Sequence, residues 1–252
     1  MCVRCISSIL NSIHIEAAKL VWIKLSFVIY ILLLSSCSKE ISIINESDAF
    51  AICNANLSSC AQSPQAAYCL FGYKWGADQN FDQSGINAVG PQTSGGTITF
   101  SFQEKNGTIN THRQINVPSE SWKEILSCAQ KEIRKAILEW QEVADITFQE
   151  LPQNSNSDIQ FYTAAIFQSA VAFPNFTDTS CKTLSGDVIF NANSKEKSCN
   201  AFYINALHEI GHVLGLGHVN SSNIMAPDES KFDLPGLQKG DISGIQQIYG
   251  KN

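Results

Sequence analysis

The stretch that most restricts this chain runs His208-Glu209-Ile210-Gly211-His212-Val213-Leu214-Gly215-Leu216-Gly217-His218. On an α-helix, side chains four apart share a face, so His208 and His212 can aim two imidazole nitrogens at one point. A further helical turn would carry the next histidine away from that point. Gly215 removes the difficulty, because glycine takes the left-handed conformation that ends a helix and turns the chain back. His218 then reaches the same place as the first pair. The fold must therefore supply a helix whose C-terminal end is sharply reversed.

Three neutral imidazoles form a ligand set for zinc and leave a fourth coordination position open to water, as a catalytic rather than a structural site requires. Glu209, next to the first histidine, is placed to take a proton from such a water. His208, His212 and His218 are thus the expected ligands of one catalytic zinc ion, and Glu209 the expected catalytic residue. A redox or electron-transfer centre is disfavoured, since no cysteine accompanies the histidines.

The beginning of the chain reads as an address. Residues 25–34, LSFVIYILLL, form an apolar run after Lys24. As a helix it would rise about 15 Å, roughly half of a bilayer core. Residues 1–36 carry Arg4, Lys19 and Lys24 against Glu16 alone, so the acidity behind the net charge of -6 lies in the remainder. That acidity argues against a nucleic-acid partner, because nothing would neutralise phosphates. A positive stretch, a short apolar run and small residues are the layout of an export signal. Leu34-Ser35-Ser36-Cys37 resembles the bacterial lipobox, which implies cleavage before Cys37 and lipidation of its thiol. The expected location is the bacterial cell envelope, lipid-anchored at the outer membrane, or released from it.

Beyond Cys37 the cysteines are Cys53, Cys60, Cys69, Cys128, Cys181 and Cys199. An even number in an exported chain fits structural disulfides, whose connectivity sequence does not determine. Proximity favours Cys181–Cys199 and a pair among Cys53, Cys60 and Cys69, which leaves Cys128 without an evident partner.

The organisation expected is a signal segment at 1–36, a Ser- and Asn-rich tether or small stapled segment at 37–70, and one α+β domain at 71–252. Residues 97–102 alternate with period two, as a half-buried strand does. Ser121 and Glu124 form a capping box ahead of a long helix. Ile125, Ala129, Ile133, Ile137 and Trp140 make its apolar stripe, with Trp122 and Trp140 as packing residues. Strands follow at 146–150, 158–162, 170–173 and 187–191, then a helix at 203–214 and a last one at 242–249.

The pieces resemble the metzincin metalloproteases, and most closely the matrixins, over most of 71–252. Asn223-Ile224-Met225-Ala226-Pro227 is similar to the metzincin Met-turn, in which Met225 would form an apolar floor beneath the metal. Tyr73-Lys74-Trp75, Trp140 through Phe148, Asp158-Ile159-Gln160-Phe161 and Gly240 through Gly250 match further family segments in order. The resemblance implies a twisted, mostly parallel sheet, a long first helix, an active-site helix and a C-terminal helix. It also implies that the strand near 170–173 pairs with an extended substrate, and that Ile204, Pro227 and Ala172 border its pocket.

Two family features are missing. Val171 and Ile189 stand where histidines would hold a second, structural zinc, and Cys69 does not match the propeptide cysteine of the latent enzymes. For calcium, Asp178, Asp187 and backbone carbonyls are candidates that serve equally well as solvated turn groups. The expected function is a monomeric zinc endopeptidase acting on protein or peptide substrates. The alternative is a catalytically silent zinc-containing surface lipoprotein that binds a host or envelope protein. Glu209, which a structural zinc does not need, favours the first.

Overall fold

The computed structural model describes residues 66–76, 92, 94–104, 107–110, 116–176, 184–193, 198–220 and 222–252. Seven strands are present among them: β1 (Gly96–Phe102), β2 (Thr108–Asn110), β3 (Asn116–Pro118), β4 (Ile146–Glu150), β5 (Ile159–Ala164), β6 (Ala170–Phe176) and β7 (Leu184–Asn191). Five build one sheet in the order β4-β1-β5-β7-β6, while β2 and β3 pair as a separate ribbon. Pairing is parallel throughout the sheet except at its β6 edge, which is antiparallel to β7. A mostly parallel sheet needs cover on both faces. Here each face has its own apolar cluster.

The larger cluster lies between the sheet and the helices α1 (Ala129–Val143), α2 (Cys199–Val213) and α3 (Lys239–Tyr249). Ile98, Phe100, Val188 and Phe190 from the strands meet Ile133, Ile137 and Trp140 from α1 and Phe202, Leu207 and Ile210 from α2. On the opposite face Ile109, Ala164, Phe173 and Ile189 form a second cluster, with Val117 and Val171 against them. Ile109 and Val117 face each other across the β2–β3 ribbon, which covers this side. Val171 and Ile189 stand directly opposite each other on β6 and β7. The positions at which the resemblance would place structural-zinc histidines are thus occupied by a packed apolar pair.

The apolar stripe of the first helix is confirmed from Ala129 onward, with Ala129, Ile133, Ala136, Ile137 and Trp140 buried. Its expected start is corrected. Ser121 accepts from the Lys123 N–H and caps a single 3-10 turn, Trp122–Glu124, after which the chain becomes extended at Ile125. Trp122 is drawn into the core, where its Nε1–H donates to the Gln103 carbonyl at 2.9 Å. The α-helix begins only after Cys128, which is bonded across to the other helix.

That bond corrects the expected pairing: Cys199 joins Cys128, with Cα atoms 6.0 Å apart. Proximity in sequence misled because α1 and α2 lie side by side in the same direction, so their first residues meet. Trp140 Nε1–H donates to the Leu207 carbonyl at 3.1 Å further along the same contact. Cys69 is disulfide-bonded as well. Cys69 and Leu70 are buried in the main core, and Leu70 bridges to Leu216. The folded body therefore reaches back past the expected boundary at 71.

All described residues fall in one unit, Ile44–Asn252, and none in the other, Met1–Ile43. The leader at 1–36, Cys37, the tether as far as residue 65, Asp178 and Cys181 lie outside the described residues. Among the described residues, no helix is long and apolar enough to cross a membrane.

The Cys128–Cys199 bond closes a long loop, with a sequence separation of 71. Replacing both cysteines by serine is expected to cost about 2–4 kcal/mol in a denaturant titration. An unchanged midpoint would show that the clamp contributes nothing.

Candidate metal centre and active site

The centre is built on α2, whose residues from Phe202 to Val213 are all buried. A helix enclosed on every side is held rigidly, which suits groups that must converge on one point. Ser198 caps its N-terminus, accepting from the Ala201 N–H at 3.1 Å. At the other end Gly215 has φ 108. Leu216 N–H donates to the Gly211 carbonyl and Gly215 N–H to that of His212, the paired pattern of a Schellman reversal. A Cβ at Gly215 would lie 2.7 Å from the Tyr73 carbonyl oxygen, so both conformation and space demand glycine.

Aromatic side chains from distant segments bond to the carbonyls at this end. Tyr73 Oη–H adds a second donor to the His212 carbonyl. Trp75 Nε1–H reaches that of Val213 at 2.7 Å, and Tyr249 Oη–H that of Leu214 at 2.8 Å. The Tyr249 oxygen in turn accepts from the Trp75 N–H at 3.1 Å. Phe71 stacks on the His212 ring with centroids 5.7 Å apart.

The reversal brings the three histidines together. Nε2 of His208 lies 3.1 Å from that of His212 and 3.0 Å from that of His218, and the His212–His218 separation is 3.0 Å. Tetrahedral zinc–nitrogen bonds of about 2.0–2.1 Å place ligand nitrogens roughly 3.3–3.4 Å apart, so a zinc ion fits with a shift of a few tenths of an ångström. The opposite ring nitrogens are already committed. His208 Nδ1 meets the Ile224 carbonyl at 2.7 Å and His212 Nδ1 that of Leu216 at 2.8 Å. A carbonyl only accepts, so each Nδ1 carries the hydrogen and each Nε2 turns a lone pair toward the centre. Among the described residues this is the one group of three or more His, Cys, Asp or Glu side chains able to hold a metal ion.

Burial and neighbouring charge disfavour the protonated form of His208 and His218. Burial lowers His208 well below the usual imidazole range, helped by the charges of His212, Lys231 and His218 and opposed by the Ile224 carbonyl. His218 is lowered by partial burial and then by Lys231. Lys231 sits on a 3-10 turn, Glu229–Asp233, and is itself buried. Its ammonium donates to the Asp228 carbonyl at 3.1 Å. Glu209 is 6% exposed, against 4% for His208 and 8% for His212, and His218 is open to solvent.

Met225 packs against the same helix. A Cβ at Gly211 would stand 2.4 Å from its Sδ and 3.1 Å from Trp140, so the bare glycine makes room for the methionine. The Met225 loop is held by Asp241, at the start of α3. Its carboxylate accepts from the Ile224 N–H at 2.9 Å, the Met225 N–H at 3.2 Å and the Gln238 N–H at 2.8 Å. Burial raises the Asp241 pKa and these three donors pull it down. The chain of contacts Asp241–Ile224–His208 thus joins α3 to the metal centre. Asp241 was inside a segment that resembled the family, but its spacing in sequence carries no sign of this contact.

The other expected residues differ in burial. Ile204, one turn before His208, is enclosed in the main core, and Pro227 is exposed. Ala172 is half-buried on β6 and packs against the main cluster. Asp187 is buried on β7 beside Tyr162, whose phenol is raised by burial and then by that carboxylate.

A histidine centre on an enclosed helix, set against this mostly parallel sheet, defines a matrixin-like catalytic domain. A model of the matrixin family matches residues 105–250, more than half of the chain, and the chain belongs to that family. It is similar to human matrix metalloproteinase-15, with 31% identity over 144 residues, covering 47% of this chain and 21% of the relative. Human matrix metalloproteinase-16 is 30% identical over 145 residues, 48% of this chain and 23% of its own length. Stromelysin-1 of Equus caballus is 29% identical over 157 residues, 56% and 31% respectively. The chain spans about a fifth to a third of the length of these curated relatives.

Asp241→Asn replaces one acceptor oxygen with an amide that faces N–H donors. Because this loosens the carbonyl that orients His208, zinc affinity should fall about 10–100-fold in a competitive chelator titration. Equal affinity in both proteins would remove Asp241 from the support of the centre.

Proposed function

We propose that this chain is a zinc-dependent endopeptidase that hydrolyses internal peptide bonds of proteins, exported and lipid-anchored through Cys37. The observation that carries the reading is the convergence of three histidine Nε2 atoms within 3.0–3.1 Å, beside Glu209 on the same helix. Membership of the matrixin family and the metalloproteinase names of the relatives support it. Bound zinc supplies Lewis acidity, polarising the peptide carbonyl and acidifying a water.

The chain's own residues do the rest. His208, His212 and His218 hold the ion in a preset geometry, two of them fixed by backbone carbonyls. The Glu209 carboxylate takes the proton of the attacking water and passes it to the leaving nitrogen. An extended substrate pairs along β6, the edge strand of the sheet. Ile204 from behind, with Pro227 and Ala172, shapes a pocket for a medium-sized apolar side chain after the scissile bond. The leader and Leu34-Ser35-Ser36-Cys37 support the anchored form.

The test compares wild type with Glu209→Ala, each assayed for zinc and for new termini in a peptide library, with and without chelator. Cleavage is expected in chelator-free wild type, reduced at least about 100-fold in the variant, with one zinc retained in both. Near-normal cleavage by Glu209→Ala would overturn the role of Glu209. One zinc per chain with no cleavage by wild type would overturn the enzyme reading. For the anchor, Cys37→Ala should abolish incorporation of labelled fatty acid, and persistent labelling would rule out lipidation there.

A further inference from the structure

β6 is the edge strand of the sheet, and its pairing with β7 has a definite phase. Asn191 N–H donates to the Ser169 carbonyl at 2.9 Å, in step with the register Ala170↔Phe190, Ala172↔Val188 and Pro174↔Gly186. Gly186 N–H points the other way, to the Asp158 carbonyl beside β5, at 2.8 Å. Bonded and non-bonded pairs alternate along an antiparallel ladder. Val171 and Phe173 therefore bond to β7, while the main-chain groups of Ala170, Ala172 and Pro174 face away from it, toward the outer edge of the sheet; Ala172 is half-buried and the other two are buried. Each alanine presents one donor and one acceptor there. Pro174 presents an acceptor alone, because proline has no N–H.

The direction of β6 relative to the histidines is also fixed. The Phe190 ring meets Phe202, near the start of α2, with centroids 4.8 Å apart. Gly186 lies against Val213 at the end of α2, since a Cβ there would be 3.1 Å from the Val213 side chain. Ala170, opposite Phe190, is thus level with the start of α2, and Pro174, opposite Gly186, with its end. His208 and His212 fall between. A peptide lying antiparallel to β6 across them puts residues N-terminal to the scissile bond beside Pro174.

We propose that Pro174 ends the substrate-pairing edge of β6. Backbone pairing with an extended peptide is complete at Ala170 and Ala172 and loses its donor at the next rung. Recognition on the N-terminal side of the cleaved bond is therefore short. This deepens the endopeptidase reading and rests on it for the identity of the occupant.

The test uses acetyl-(Ala)n-Gly-Leu-Lys-amide peptides with n raised one residue at a time. kcat/KM is measured for wild type and Pro174→Ala. Kd is measured by calorimetry for zinc-loaded Glu209→Ala and for the same protein carrying Pro174→Ala. With Pro174 both quantities should level off once the peptide has passed Ala172. With Pro174→Ala, the residue that reaches position 174 should add about two- to tenfold, the worth of one net hydrogen bond. The same gain in both proteins, or a gain in neither, overturns the proposal. If wild type cleaves nothing while the Kd series separates the two proteins, the enzyme reading fails and the role of Pro174 in the strand edge stands.

Discussion

The last carbonyls of a helix have no partners within it, and α2 ends deep in the protein, where leaving them unpaired would cost about 1–3 kcal/mol each. The tight reversal at Gly215 answers two of them, Gly211 and His212, from the chain's own N–H groups. Trp75 and Tyr249 answer the other two, Val213 and Leu214, from opposite ends of the domain, and Tyr73 gives the His212 carbonyl a second donor. The segment around residue 73 and the C-terminal helix are thereby locked to the same helix end. That end presents His212 and launches the turn to His218, so a backbone requirement and the geometry of the metal centre have one solution.

The centre is also tied to the fold through bonds that touch no metal. His208 is oriented by the Ile224 carbonyl, and Ile224 is held by the Asp241 carboxylate on α3. His212 is oriented by the Leu216 carbonyl, inside the reversal itself. Two ligands are therefore set by backbone atoms whose positions depend on tertiary packing.

Within this family architecture the chain has its own means of support. Val171 and Ile189 pack as an apolar pair beneath the β2–β3 ribbon, where the resemblance implies metal-binding histidines. The Cys128–Cys199 bond joins the residue that precedes α1 to the first residue of α2, so the site-bearing helix is covalently linked to the one it packs on. Hydrophobic burial is non-directional, whereas a disulfide sets the relative position of two points. The two devices act on different faces of the same sheet.

Local rules sufficed wherever a residue acts through its own neighbours. The i, i+4 spacing of His208 and His212, the left-handed glycine before His218, the stripe on α1 and the alternation in β1 were all legible in sequence, since helix and strand periods fix which side chains share a face. The matrixin resemblance supplied the mostly parallel character of the sheet, though not its strand order. What only the tertiary structure decided are contacts across long separations: Cys128 with Cys199, Asp241 with the Met225 loop, Tyr73 with the end of α2, and the shift of the α1 start to Ala129. Their sequence signals are single polar, aromatic or cysteine residues with no period. Their partners are chosen by how layers pack, and a linear pattern does not encode that choice.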